Sequence, residues 1–372
     1  MKEKLNEHSY DASVAGLSYN VWTHQNVGIA LSVNGYSEKS LLLWRTITDA
    51  LKNPQLDSTK FEIYRKSQEI NWKNSSKNSS LQQSGERFTS LIMDKFCPAF
   101  QLGLAMESIT FDELVAFSKE LFELRNIQGY VGGNASVMDA TEALGILTDS
   151  IPGIACSSDQ VMKAAMKPTS IGPSMDSFDV SVGGNAIYWN TYIGKRSEEN
   201  RAGCEMFTKL LKEPFYSELR TVQQTGYVVH SGSVQTADKH MFINAAVQSN
   251  TYDARDLLSR IELFMQTFVR DINENPQLAE RLESVKASTI ARLKEPFDKL
   301  ASKHQYYNHL VYEENCDFKM LERRVQNLKN FNIERLQEFA NEKITNGWNS
   351  RLSVLANGNS TENKLMTYKK II

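Results

Sequence analysis

Apolar residues in this chain fall into two alternating registers that recur in order. GIALSVNG, residues 28–35, places Ile29, Leu31 and Val33 on one face, the period of a half-buried strand. SEKSLLLWRTITDALKN follows, where Ser37 is placed to cap a helix whose Leu43, Ile47 and Leu51 form one apolar stripe. Later, HMFINAAVQS (240–249) alternates Ile243, Ala245 and Val247, and TYDARDLLSRIELFMQTF carries Leu257, Ile261, Met265 and Phe268 at helical spacing. The same strand–helix unit is written twice.

Further landmarks keep the same order. Asn53-Pro54-Gln55-Leu56 returns as Asn275-Pro276-Gln277-Leu278, ITFDELVAF (109–117) as FNIERLQEF (331–339), and Gly133-Asn134-Ala135-Ser136 as Gly358-Asn359-Ser360-Thr361. Offsets of about 210 to 225 positions far exceed a solenoid period, so a whole domain is duplicated. Residues 150–177, rich in Pro, Gly and Ser, are expected to link the copies with little regular structure. The expected organisation is a first module over 1–149, a linker over 150–177 and a second module over 178–372. The copies differ at their starts: FDVSVGGNAIYWNTYIG (178–194) predicts a strand and SEENRAGCEMFTKLLK (197–212) a helix, and the first copy has no counterpart of either. The first module therefore lacks about a strand and a helix, leaving an open sheet edge that invites pairing with another chain.

Composition narrows the function classes. With 42 Lys and Arg against 44 Asp and Glu, the net charge of -2 gives no footprint for nucleic acid or an anionic membrane. No run approaches the roughly 18 apolar residues of a membrane span, and the first residues, MKEKLNEHSYDAS, lack a secretory apolar core, so the cytoplasm is the expected compartment. Cys97, Cys156, Cys204 and Cys316 form no CxxC pair and are expected to be free, mostly buried thiols. No HxxEH motif occurs. The nearest histidines, His304 and His309, are five apart, which turns them to different faces of a helix, so no metal site is expected in this chain.

The most specific stretch is EPFYSELRTVQQTGYVVHSG, residues 213–232. It reads as a helix opened by Pro214 and stopped near Gly226, then a strand beginning at Tyr227. Glu213, Pro214, Phe215, Leu219, Arg220, Thr221, Gln224, Gly226, Tyr227, Val229, Ser231 and Gly232 give it a close resemblance to the last domain of the insulinase family of zinc metallopeptidases. Thr225 stands where leucine is usual, and Val222 and Gln223 where a Lys-Glu pair is common. YDASVAGLSY (10–19), LSVNGYSEK (31–39), KFEIYRKS (60–67) and VGGNAS (131–136) resemble successive pieces of that family's third domain. The likeness thus covers nearly the whole chain.

This resemblance implies an α+β fold of two homologous modules, each a mainly antiparallel sheet with helices packed on one face. It implies the carboxyl-terminal, non-catalytic half of a clamshell whose other half carries the zinc on HxxEH. Zinc is accordingly expected in a partner half, and none in this chain. Carried over by position, Arg220 and Tyr227 are the expected substrate-binding pair, reaching a peptide whose scissile bond rests on the partner's metal, with no catalytic residue here. Gly226 is expected in a left-handed terminus that turns the pair toward one cleft. The alternative reading is an enzymatically silent scaffold subunit related to insulinase-like core proteins.

Overall fold

The structure is a computed structural model that describes residues 2–24, 28–36, 38–52, 56–151, 153–157, 160–161, 165–167 and 173–359. The cap expected of Ser37, residues 53–55 of the repeated tetrapeptide and residues 360–361 of the last landmark lie outside them.

Helix α1 (Lys2–Val14) precedes the hairpin β1 (Leu17–His24) and β2 (Gly28–Gly35), followed by α2 (Ser40–Lys52) and α3 (Ser58–Lys73). Next come α4 (Ser80–Ile92), α5 (Ala99–Ala105), α6 (Phe111–Glu120), β3 (Leu124–Arg125), α7 (Val137–Ser150) and β4 (Ile154–Ala155). The remainder is β5 (Ser174–Gly183), β6 (Asn185–Lys195), α8 (Glu198–Tyr216) with a π-helical extension (Ser217–Val222), β7 (Val228–Gln235), β8 (His240–Ser249), α9 (Ala254–Glu274), α10 (Gln277–Lys294), α11 (Leu300–Tyr312), α12 (Met320–Lys329), α13 (Ile333–Ala340) and β9 (Arg351–Asn359). None of the described helices is long and apolar enough to cross a membrane.

Two compact units form, and neither is one continuous stretch. The first comprises Met1–Glu69, Ala105–Lys163 and Pro296–Phe318; the second comprises Ile70–Leu104, Ala164–Glu295 and Lys319–Ile372. α4 thus belongs with the second unit and α11 with the first. These helices begin at Ser80 and Leu300, about 220 positions apart and so at equivalent points of the duplication. The segments 1–149 and 178–372 set out from the repeat therefore each contribute an arm to the other compact unit, a trade that periodicity within either copy does not encode.

In the first unit, β1 and β2 pair antiparallel with Tyr19 opposite Val33 and Val21 opposite Leu31. One face of this hairpin, Leu17, Tyr19, Val21, Ile29, Leu31 and Val33, packs with Leu5 and Ala12 of α1 and Leu43, Ile47 and Ala50 of α2. The alternation read from residues 28–35 is the cause, since it turns every second side chain to the helices. Among the described residues this sheet has two strands, and a separate parallel pair joins β3 to β4, the latter within the expected linker.

In the second unit, five strands run in the order β5-β9-β6-β8-β7, antiparallel except for β5 beside β9. The stretch read as one strand over 178–194 is two, β5 and β6, because the chain turns at Gly184 with φ 86°, a conformation that glycine adopts without strain. Phe207, Leu210, Leu211, Ile261 and Met265 from α8 and α9 meet Ile187, Trp189, Ile243, Ala245 and Val247 in one core. Each such large apolar side chain contributes about 1.5–3 kcal/mol on burial. The half-buried character expected of residues 240–249 is exceeded: α4 crosses the sheet's second face, with Phe88 edge-on to Tyr188 and Phe242 at centroid distances of 5.3 Å. β8 is in consequence buried on both sides. The cysteines are free thiols, but of the four, expected to be mostly buried, only Cys204 is buried.

Candidate functional site

The segment that resembles the family motif runs from the last turn of α8 into β7. Pro214 stands inside α8 instead of opening a helix, and the helix continues through the π turn to Val222. The left-handed residue is Gln224, at φ 52°, and Gly226 has no positive φ. This corrects the role read for Gly226, whose need for glycine has a different cause. A Cβ there would lie 1.9 Å from the carbonyl oxygen of Gln248, so the bare backbone lets the chain enter the sheet against β8.

Two departures from the family pattern have local functions. Thr225, 1% exposed, donates its hydroxyl and its amide to the Leu219 carbonyl at 2.9 Å each, tying the turn to the helix end. Gln223 accepts from Arg260 Nη1 at 2.8 Å and donates to Glu218 at 2.9 Å. Arg260 in turn bonds Asp256 at 2.7 Å and lies over the Tyr252 ring at 4.4 Å. The turn is thus pinned from α9. These residues carry no motif of their own; only their contacts reveal the part they play.

Arg220 and Tyr227 come together at the end of this turn. Arg220 Nη1 donates to the Gly226 carbonyl at 2.6 Å, and its guanidinium carbon lies 4.8 Å from the Tyr227 ring centroid. Its other N–H donors have no protein partner among the described residues. The Tyr227 ring is 84% exposed, and its hydroxyl makes no hydrogen bond among the described residues. The pair therefore offers a fixed planar cation and a free phenol to whatever approaches this surface, chemistry suited to carbonyl or oxyanion oxygens.

Three of the six histidines have side-chain partners. His304 Nδ1 is 3.1 Å from the Tyr130 hydroxyl and His309 Nε2 is 3.3 Å from Glu314. His240 Nδ1 is 2.7 Å from the Tyr192 hydroxyl. Among the described residues no group of three His, Cys, Asp or Glu side chains could hold a metal ion.

Comparison with known proteins agrees with the segment order. Residues 1–102 match the model of the middle or third domain of peptidase M16, and residues 206–308 that of the PQQ synthase PqqF-like C-terminal lobe domain 4. The insulin-degrading enzyme of Drosophila melanogaster is 25% identical over 323 residues, covering 84% of this chain and 32% of that protein. The chain belongs to the insulinase family. It shares its fold with crystalline pitrilysin, superposing with a TM-score of 0.78 at 15% identity over 99% of this chain and 39% of that one. The peptidase M16 inactive domain from Pseudomonas fluorescens gives a TM-score of 0.67 at 13% identity, covering 96% and 84% respectively. This insulinase-family chain spans about a third of the length of the curated relatives it matches. The parts it matches are described as a middle or third domain and a carboxyl-terminal lobe.

Proposed function

We propose that this chain is the substrate-binding, non-catalytic half of an insulinase-type zinc endopeptidase and acts with a separate HxxEH-bearing half. The observation that carries the reading is the paired presentation of Arg220 and Tyr227 on an exposed turn, with the guanidinium anchored at 2.6 Å and the phenol free. Arg220 would hold a peptide carbonyl. The Tyr227 hydroxyl would donate to the oxyanion that develops when the partner's metal-bound water attacks. A partner also suits the hairpin: β2 has one strand neighbour among the described residues, whereas β8, its repeat equivalent, has two.

The test is reconstitution. The purified chain is mixed with an HxxEH half from the same family and peptide hydrolysis is followed. The mixture is expected to cleave where neither component does. Tyr227→Phe is expected to lower kcat by about 10²–10³-fold, the cost of losing one oxyanion donor. Arg220→Ala is expected to raise KM. Hydrolysis unchanged by both substitutions rejects the gripping role, and copurification from native cells with a large assembly instead of a protease half favours the scaffold reading.

A further inference from the structure

β7 is the outer strand of the five-stranded sheet and pairs only with β8 among the described residues. It begins directly after Tyr227, so its unpaired edge runs on from the Arg220–Tyr227 pair. Beside it, a cavity of about 360 Å3 opens between β7 and the last turns of α8, lined by Lys209, Lys212, Phe215, Tyr216, Val229 and Ser231 among others.

Three features of that cavity point to one kind of occupant. Its floor is apolar, with Phe215 fully buried and Val229 9% exposed. The Ser231 side chain is buried in a residue only 6% exposed, and its Oγ has no hydrogen-bond partner. An orphaned buried hydroxyl costs about 1–3 kcal/mol, so a polar group arriving there is favoured. The rim is cationic. Lys212 makes no ion pair among the described residues, and the carboxylate nearby, Glu213, is taken by Arg281 at 3.2 Å. Burial, with the Lys212 charge as a second cause, holds His230 on the same strand below its ordinary range.

We propose that the free edge of β7 takes an extended acidic peptide as a sixth strand, with one carboxylate side chain entering the cavity toward Ser231 Oγ under Lys212. Main-chain hydrogen bonds along the edge supply sequence-independent affinity, and the cavity selects the side chain. The proposal deepens the peptide-gripping reading and rests on it, since it gives the substrate its path beyond Tyr227 and its preferred charge.

The probe is a nine-residue peptide alternating valine and glutamate, blocked at both ends, with its valine–glutamine counterpart as the neutral control. Binding to the full chain is measured by fluorescence anisotropy, and amide hydrogen exchange is followed over Val228–Gln235. The acidic peptide is expected to slow exchange along β7 and to bind about tenfold more tightly than the neutral one. Lys212→Glu should remove that preference, and Ser231→Ala, which adds no atoms to the core, should weaken binding by about threefold. Equal affinity for the two peptides, protection elsewhere, or protection of β7 that grows with the concentration of the chain alone overturns the proposal. If hydrolysis in the reconstituted system depends on Arg220 while β7 stays unprotected, only the edge proposal fails. If β7 is protected while Arg220→Ala and Tyr227→Phe leave hydrolysis intact, only the gripping role fails.

Discussion

Gly226 and Gln248 are in backbone contact: a methyl group on Gly226 would sit 1.9 Å from the Gln248 carbonyl oxygen and 2.9 Å from its carbon. Backbone cannot rotate away as a side chain can, so β7 and β8 would have to part. Gly226→Ala is expected to cost at least about 1–3 kcal/mol, the range for overpacking a closed core. Urea unfolding monitored by circular dichroism checks this. Unchanged stability would place the entry to β7 elsewhere.

The neighbouring left-handed residue behaves in the opposite sense. Gln224 holds φ 52°, a conformation costing an L-residue roughly 1–2 kcal/mol. Gln224→Gly relieves it at the expense of greater unfolded-chain freedom. A net gain of about 0.5–1 kcal/mol is expected, visible as a raised Tm.

The Arg220–Tyr227 contact is exposed, and exposed cation–π pairs contribute about 0.5–1 kcal/mol. Tyr227→Phe should therefore leave the thermal transition within about 1 kcal/mol of the parent. This separates binding from folding: a loss of peptide hydrolysis in that variant cannot then be assigned to an unfolded chain.

A buried ion pair of structural importance lies under the sheet. Arg351, 4% exposed, pairs with Glu262, donates to the Ile344 carbonyl at 2.7 Å and lies over the Trp189 and Trp348 rings. Glu262 also accepts from Trp189 Nε1 at 2.7 Å. Glu262→Ala strands the arginine and the indole, and a loss of about 3–5 kcal/mol is expected from chemical denaturation.

Acid stability has an identifiable contributor in Glu205. Burial alone would raise its pKa, but hydrogen bonds and charges from Arg324, at 2.7 Å and 2.9 Å, and from Lys209 outweigh burial and hold it below the ordinary carboxylate range. A depressed folded-state pKa adds stability above the unfolded value, about 4.3 for a glutamate, and that stability is lost as pH falls through the folded value. Arg324→Ala should shrink this contribution, so the difference in stability between parent and variant narrows on acidification below about pH 4.3. A constant difference down to the acid transition would exclude this pair as the source.

The sequence by itself determined the local elements and their duplication. Leu43, Ile47 and Leu51 of α2, and Leu257, Ile261, Met265 and Phe268 of α9, are buried as their spacing requires, because a period of 3.6 leaves a helix one apolar side to hide. The motif around Arg220 and Tyr227 was legible as a resemblance, though the proline, the glycine and the turn residue each play a part that spacing did not reveal. What only the tertiary structure decided depends on partners distant in sequence. The second covered face of β8 is made by α4 from the other copy, Gly226 is required by a carbonyl more than twenty residues away, and Ser231, buried with no hydrogen-bond partner, lines a cavity shared with α8. A one-dimensional pattern records which side chains avoid water, since that choice is made residue by residue. It does not record which surface receives them, because close packing is settled only when separate stretches of chain compete for the same space.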